Sequence, residues 1–188
     1  MSAALFSGLP AVIVSDAEFE EMARCGALVR AGRVELRRGM ITPMSPVYMP
    51  HANLMNRLSR ALQLGEAQAG FEFQVWSELS IGFGGGFQPT ADIVVFDPRL
   101  ITDDSGPLPG AAAALVVEVV DASLSDDLGE KLLEYARAGL AEYWVADVKN
   151  AILLRHAEPG ERGYRVRAPA ALKGRVESLT LKLAADLG

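Results

Sequence analysis

The stretch LVVEVVDASLSDDLGEKLLEYARAGLAEYW, from Leu115 to Trp144, decides the fold of this chain. Its first six residues are aliphatic except Glu118, and such a mostly β-branched run is typical of an interior strand that is covered on both faces. A lone ionised carboxylate in that position is costly. Glu118 therefore requires a hydrogen-bonded partner, protonation or a metal ion.

A helix is predicted directly after this strand. Asp127 and Glu130 resemble a capping box at its start, and Gly139 is a natural end. The apolar stripe of the helix has members at positions i, i+4 and i+7: Leu128, Leu132 and Tyr135. Lys131 falls inside this stripe, so its ammonium group is expected to reach toward the sheet.

The next predicted strand runs from Glu142 to Ala146 and completes a strand–helix–strand unit. The handedness of such units places the helix on one face of a pair of parallel strands. Glu118 and Lys131 are therefore expected to approach each other. Tyr135 and Trp144 are interpreted as core residues.

The composition predicts one globular domain that spans residues 1–188. Half of the residues are hydrophobic, and no apolar run is long enough to cross a bilayer, so no membrane partner is expected. The lone Cys25 cannot form an internal disulfide, which indicates a reducing cytoplasm, and it is expected to be a buried small hydrophobe. The net charge of −6 argues against non-specific coating of nucleic acid, although a local basic groove remains compatible with it.

Patterns in the rest of the chain predict two further helices. Ser15 and Glu18 resemble a capping box for a short helix that ends near Gly26, and a second helix is expected from about His51 to Leu64. The remaining predicted strands are 33–36, 40–42, 71–76, 78–81, 88–96, 152–155, 164–167 and 176–183. The arginines around the first hairpin are interpreted as a solvated face.

The run GFGGGF at Gly82–Phe87 is a candidate phosphate-binding loop by composition alone. It lacks the Lys-Ser/Thr pair of a P-loop and the spacing of a dinucleotide-binding loop. A flexible hairpin loop is therefore the favoured interpretation. Directly after it, the strand in QPTADIVVF places Asp92 at the mouth of the core.

Two carboxylates on neighbouring strands with a lysine at their edge are the minimum set for metal-assisted phosphodiester hydrolysis. Oxygen ligands such as Asp92 and Glu118 suit a hard divalent cation, which polarises the phosphate and lowers the pKa of the attacking water. A lysine such as Lys131 then orients that water or offsets the developing negative charge.

Several segments together resemble a large bacterial family of restriction-endonuclease-like proteins within the PD-(D/E)XK nuclease superfamily. They are RVELRRGMITPMSP, His51 shortly afterwards, QPTADIVV and LVVEVVDASLSDDLGEKLLEYARAGLAEYWVAD, with the closing hairpin. The resemblance covers roughly Arg33 to Arg155. It implies an α/β fold with a mixed central sheet flanked by helices, and an additional N-terminal hairpin and C-terminal strands.

The resemblance also implies roles for individual residues. Asp92 and Glu118 match the two superfamily acids, Glu35 matches an upstream acid that extends the metal site, and His51 matches a histidine of the family. The usual lysine would lie two residues after the second acid, where this chain has Val120. Lys131 matches the position at which this family carries a lysine. The first motif also has altered spacing between Pro89 and its acid.

The expected function is hydrolysis of DNA with Mg²⁺ or Mn²⁺ held by Asp92, Glu118 and Glu35. A homodimer is expected, because cutting both strands needs two sites and two-fold symmetry is the common solution. The alternative is a catalytically inactive nuclease fold that acts as a nucleic-acid-binding or dimeric interaction module. In that case Glu118 would be a buried acid bonded to amides or an arginine, and Lys131 a lysine on the helix rim.

Overall fold

A computed structural model describes residues 12–70, 72–121 and 129–188 of the chain. The described residues form three α-helices, which are α1 (Asp16–Arg24), α2 (Met49–Ala69) and α3 (Glu130–Arg137). The first six strands are β1 (Val34–Arg37), β2 (Met40–Pro43), β3 (Gln74–Gly82), β4 (Thr90–Phe96), β5 (Leu108–Pro109) and β6 (Ala113–Val120). The others are β7 (Glu142–Asp147), β8 (Ile152–Gly160), β9 (Gly163–Ala171), β10 (Arg175–Glu177) and β11 (Ala184–Asp186).

The centre of the molecule is a seven-stranded mixed sheet in the order β5-β3-β4-β6-β7-β8-β9. Strands β6 and β7 are parallel and joined through α3, as the strand–helix–strand pattern predicted, and β3 and β5 are also parallel. The other neighbouring strands are antiparallel. The predicted mixed sheet with flanking helices, an N-terminal hairpin and C-terminal strands is therefore confirmed.

The two faces of the sheet are covered by different helices. On one face, apolar residues of α2 such as Leu58 and Leu62 join a core cluster with Ile93 and Val117. On the opposite face, Tyr135 of α3 joins a second cluster with strand residues that include Val116. Burial on both faces explains why β6 reads as a continuous aliphatic run.

The β1–β2 hairpin is attached to the end of the sheet by backbone hydrogen bonds. Leu36 N–H donates to Gln88 O at 3.1 Å, and Gln88 N–H donates to Leu36 O at 2.8 Å. The hairpin turn at Arg38 and Gly39 has positive φ at both residues, 53° and 72°, as a tight two-residue hairpin turn requires. This confirms the predicted turn and fixes the position of Glu35 on β1.

Helix α2 is longer than predicted at both ends. The end was expected between Gly65 and Gly70, and Gly65 lies inside the helix, where it packs closely against β11. A Cβ atom at Gly65 would lie 1.8 Å from Ala184 O, so this close approach requires a glycine. The helix ends at the second of these glycines, Gly70, which has φ of 108°.

Two strand predictions are wrong in detail. The expected break at Ser77 is absent: β3 is continuous, with Glu78 in a positive φ of 55°. The expected strand 176–183 is instead two short strands, β10 and β11, because residues 178–181 turn around the carboxylate of Glu142. Phe71, the expected start of β3, lies outside the described residues.

Single-residue predictions also need correction. Cys25 is exposed rather than buried, since it follows the last residue of α1 at the surface. Arg37 is buried rather than solvated, because it pairs with Glu134 of α3. The predicted cap at Asp127 lies outside the described residues, whereas Gly139 follows α3 with φ of 81° as expected. None of the described helices has the length and apolar character needed to cross a membrane.

Candidate active site

Five predicted site residues, each from a different element, line one cleft of about 350 Å³. They are Glu35 on β1, His51 on α2, Asp92 on β4, Glu118 on β6 and Lys131 on α3. The antiparallel register of β4 and β6 pairs Ile93 with Val117, and its continuation by one residue places Asp92 beside Glu118. His51 and Lys131 come from the first turns of helices on opposite faces of the sheet.

Glu118 is buried and contacts two donors from α3. Lys131 Nζ lies 3.3 Å from Glu118 Oε1, and the Tyr135 hydroxyl donates to the same oxygen at 2.9 Å. The predicted approach of Lys131 to Glu118 is confirmed. Burial raises the pKa of Tyr135 well above its usual range, with the negative charge of Glu118 adding to the effect, so the phenol stays a donor.

Lys131 also contacts the second buried acid of the cleft. Its Nζ lies 3.6 Å from Glu35 Oε2, so the ammonium group bridges the carboxylates of Glu35 and Glu118. Within the described part of the chain, Glu35 Oε2 accepts no hydrogen bond although it is buried. A buried carboxylate oxygen that accepts no hydrogen bond, and whose negative charge is offset by a nearby ammonium group, is suited to binding a cation.

Asp92 and His51 form a second pair at the same cleft. Asp92 Oδ2 accepts the Val119 backbone N–H at 2.7 Å, and Asp92 Oδ1 lies 3.2 Å from His51 Nε2. The hydrogen bond to Asp92 raises the pKa of His51 above its usual value, although burial opposes the rise. The backbone contact to Val119 ties the position of Asp92 to β6, the strand that carries Glu118.

The hairpin and α3 are joined behind the cleft by a group of ion pairs. Arg37 Nε lies 2.9 Å from Glu134 Oε2, and Arg38 Nε lies 2.9 Å from Glu134 Oε1. Arg37 also lies 4.0 Å from Glu35 Oε1. These contacts fix the element that carries Glu35 relative to the helix that carries Lys131.

Sequence analysis missed two parts of this arrangement, Tyr135 and the Arg37–Glu134 pair. Both could have been found from periodicity. Tyr135 lies four residues after Lys131 on the same helix face, and Arg37 lies two residues after Glu35 on the same strand face. The apolar context of Tyr135 led to its interpretation as core alone.

The donor set has the chemistry of a site for a hard divalent cation. Carboxylate oxygens are the ligands that Mg²⁺ and Mn²⁺ prefer, and Glu35 Oε2 is a buried oxygen available for such a role. In the described ranges, no three His, Cys, Asp or Glu side chains are grouped closely enough to hold one metal ion between them. Lys131 supplies the positive charge between two of the acids instead.

The sheet, its flanking helices and the cleft at the end of β4 and β6 define a protein of the restriction-endonuclease-like class. The chain belongs to the family Uma2, described as "Putative restriction endonuclease", whose model matches residues 16–186. Both the fold class and the family resemblance predicted from the sequence are confirmed.

A solved structure has a similar fold. It is described as a "putative nuclease belonging to DUF820" from Anabaena variabilis, and it superposes with a TM-score of 0.62. The similarity covers 87% of this chain and 88% of the other at 14% sequence identity, so it concerns the fold alone. No curated protein matches the chain.

Proposed function

We propose that this protein is a Mg²⁺- or Mn²⁺-dependent endonuclease that hydrolyses phosphodiester bonds of DNA. The observation that carries the proposal is the bridging position of Lys131 Nζ, 3.3 Å from Glu118 and 3.6 Å from Glu35, in the cleft that also contains Asp92. A buried cationic donor beside converging carboxylates is the arrangement that phosphoryl chemistry needs. The family description supports the nuclease class.

Asp92 and Glu118 would hold the cation. Glu35 would join them only after its side chain shifts, because no three such side chains of the described residues are close enough to share one ion. When bound, the cation supplies polarisation of the phosphate and lowers the pKa of water. Lys131 donates hydrogen bonds to a water molecule or offsets the negative charge that develops on the phosphate. His51 orients Asp92 through its hydrogen bond and can hold a proton at Nε2.

The net charge of the chain is −6, so long-range electrostatic attraction contributes little to the binding of negatively charged DNA. Binding of the phosphate would instead depend on positive charge within the cleft, where Lys131 and the cation face the acids. We also propose that the protein acts as a homodimer, since cleavage of both strands needs two such clefts.

Calorimetric titration with Mg²⁺ and with Mn²⁺ tests this function directly. Glu118→Gln removes one charge and nearly keeps the shape, and it is expected to abolish binding that the unaltered protein shows. Glu177→Gln is the matched control, because Glu177 is an exposed acid on β10, away from the cleft. Its affinity is expected to equal that of the unaltered protein.

The same three proteins are then assayed on supercoiled plasmid DNA with and without the cation. The unaltered protein and Glu177→Gln are expected to produce nicked or linear DNA only with the cation. Glu118→Gln is expected to produce neither form. Absence of cation binding in all three proteins, with DNA absent and present, would refute the metal-dependent mechanism. That result would favour the inactive binding module.

A further inference from the structure

We propose that Tyr135 is a positioning residue that fixes the Glu118 carboxylate for cation binding, and that Gly82–Phe87 holds its ring in place. The inference rests on the proposed metal-dependent function, and it assigns a role to two features outside the predicted site. One is a fully buried tyrosine on α3. The other is a glycine-rich loop that binds no phosphate in the proposed reaction.

Tyr135 holds the Glu118 carboxylate through a hydrogen bond from its hydroxyl group. The hydroxyl donates to Oε1 at 2.9 Å, and this oxygen also lies 3.3 Å from Lys131 Nζ. Two donors on one oxygen restrict rotation of the carboxylate. Partners that hydrogen-bond to a metal ligand fix its orientation, and their loss weakens metal binding about 10- to 100-fold.

The phenol ring is itself fixed by aromatic packing. Its centroid lies 4.8 Å from that of Tyr143, 5.3 Å from that of Phe87 and 5.7 Å from that of Phe83. Phe83 and Phe87 meet Tyr135 edge to face and stack on each other at 5.4 Å. Edge-to-face contacts set the direction of a ring, so they also set the direction of its hydroxyl.

The glycine-rich loop brings these two phenylalanines together. Gly84, Gly85 and Gly86 all have positive φ, which reverses the chain between Phe83 and Phe87. Gly86 is anchored on both sides, because its N–H donates to Asp16 Oδ2 at 3.1 Å and its oxygen accepts the Gly39 N–H at 2.9 Å. The loop therefore presents a fixed aromatic surface to α3.

A half-buried tyrosine with a hydrogen bond of the same length provides a control. Tyr164 also packs against Tyr143, with a centroid distance of 6.2 Å, but its hydroxyl donates to Leu140 O at 2.9 Å. Tyr164→Phe therefore removes a phenol hydrogen bond of the same length without touching Glu118. Tyr135→Phe removes the hydroxyl and keeps the ring packing.

The experiment compares Mn²⁺ affinity by calorimetry and melting temperature for four proteins: the unaltered chain, Tyr135→Phe, Tyr164→Phe and Glu118→Gln. Tyr135→Phe is expected to bind Mn²⁺ about 10- to 100-fold more weakly. Tyr164→Phe is expected to bind as the unaltered protein does. Both phenylalanine variants should lose thermal stability, Tyr135→Phe more than Tyr164→Phe because its hydroxyl is fully buried against a carboxylate. A loss of Mn²⁺ affinity in Tyr135→Phe alone separates positioning of Glu118 from general destabilisation.

The outcomes separate this inference from the proposed function. Equal Mn²⁺ affinity in Tyr135→Phe and the unaltered protein, with binding lost in Glu118→Gln, would overturn the role of Tyr135 while the metal site stands. No binding by the unaltered protein would overturn the metal site itself, and the positioning role with it. An equal loss of affinity in Tyr164→Phe would also overturn the positioning role.

Phe87→Leu tests the loop without altering the phenol, and it keeps the measurement possible if Tyr135→Phe does not fold. Removal of one edge-to-face contact lets the ring tilt, so Mn²⁺ affinity is expected to fall several-fold, less than in Tyr135→Phe. Unchanged affinity in Phe87→Leu would overturn the role of the loop.

Discussion

The Glu118 side chain carries a negative charge in the interior of β6, and its neighbours determine what that charge can do. The residue is only 4% exposed, and its carboxylate lies beside Lys131 and Tyr135. In an aliphatic strand this costs free energy of folding, which the ammonium group and the phenol offset. The same neighbours keep the carboxylate directed at the cleft.

Replacement of Lys131 by Met is predicted to destabilise the protein and to abolish the proposed cleavage of DNA. The variant leaves Glu35 and Glu118 buried without the bridging ammonium, so the free energy of unfolding should fall by about 3 kcal/mol. Urea denaturation measures this loss. If the two carboxylates bind a cation, Mn²⁺ should restore more stability in this variant than in the unaltered protein.

Lys149→Met is the control for this prediction, because Lys149 is an exposed lysine in the turn after β7. Its stability and its response to Mn²⁺ should match those of the unaltered protein. A Lys131→Met variant as stable as the unaltered protein would contradict the structural role of the ammonium group. A variant that Mn²⁺ does not stabilise would contradict its place beside a cation site.

At the scale of elements, a second buried acid explains how the C-terminal strands join the sheet. Glu142, fully buried on β7, accepts hydrogen bonds from the Leu179 and Thr180 backbone N–H groups and from the Ser178 and Thr180 hydroxyls. Trp144 Nε1 also donates to it at 2.6 Å. The carboxylate thus organises the turn between β10 and β11.

Glu142→Gln is predicted to destabilise this turn. A neutral amide oxygen accepts these hydrogen bonds less strongly and its NH₂ group faces donors, so the free energy of unfolding should fall by about 2–4 kcal/mol. Hydrogen exchange measures the local effect at residues 178–181. Unchanged hydrogen exchange at these residues would show that the turn forms without the charge. The Mn²⁺ affinity of Glu142→Gln should equal that of the unaltered protein.

At the scale of the whole molecule, the strand β8 places a histidine between charged and aromatic neighbours. His156 pairs with Arg167 on the neighbouring strand β9 and lies near the rings of Tyr143 and Tyr164. Burial and the positive charge of Arg167 lower the pKa of His156 from 6.5 to about 4. The folded protein therefore keeps this imidazole neutral.

The stability of the protein should consequently decrease on acidification. Between pH 6.5 and about 4 the unfolded chain binds a proton at His156 that the folded protein rejects, so protonation favours unfolding. The expected contribution is on the order of 2 kcal/mol, fully present above pH 6.5 and lost by about pH 4. Urea denaturation across this range measures it.

His156→Gln is the comparison that isolates this effect, because all other titrating groups remain. The difference in unfolding free energy between the two proteins should change with pH in the stated window and stay constant above it. A constant difference at all pH values would contradict the role of His156.

The pKa shift of His51 changes stability with pH in the opposite direction. Its raised pKa contributes stability that is present below pH 6.5 and lost as the pH rises through the folded value.

Local patterns in the sequence determined the central elements and the candidate acids. The aliphatic run around Glu118 and the spacing of Lys131 on its helix reflect the side-chain repeats of strands and helices, two and 3.6 residues. These repeats are set by residues close together in the sequence. The strand–helix–strand unit and the family resemblance followed from that same stretch. Glu35, His51 and Asp92 line one cleft, and the roles that the resemblance implied for them stay predictions.

Only the tertiary structure decided the contacts between distant parts of the chain. Local periods place Tyr135 on the helix face of Lys131 and Arg37 on the strand face of Glu35. Only the fold shows that Tyr135 pairs with Glu118 and that Arg37 pairs with Glu134. Gly65 continues α2 because β11 approaches it, and Glu142 divides the last predicted strand because it attracts backbone N–H groups 37 and 38 residues away. Such contacts depend on packing across the whole fold, which outweighs local preference.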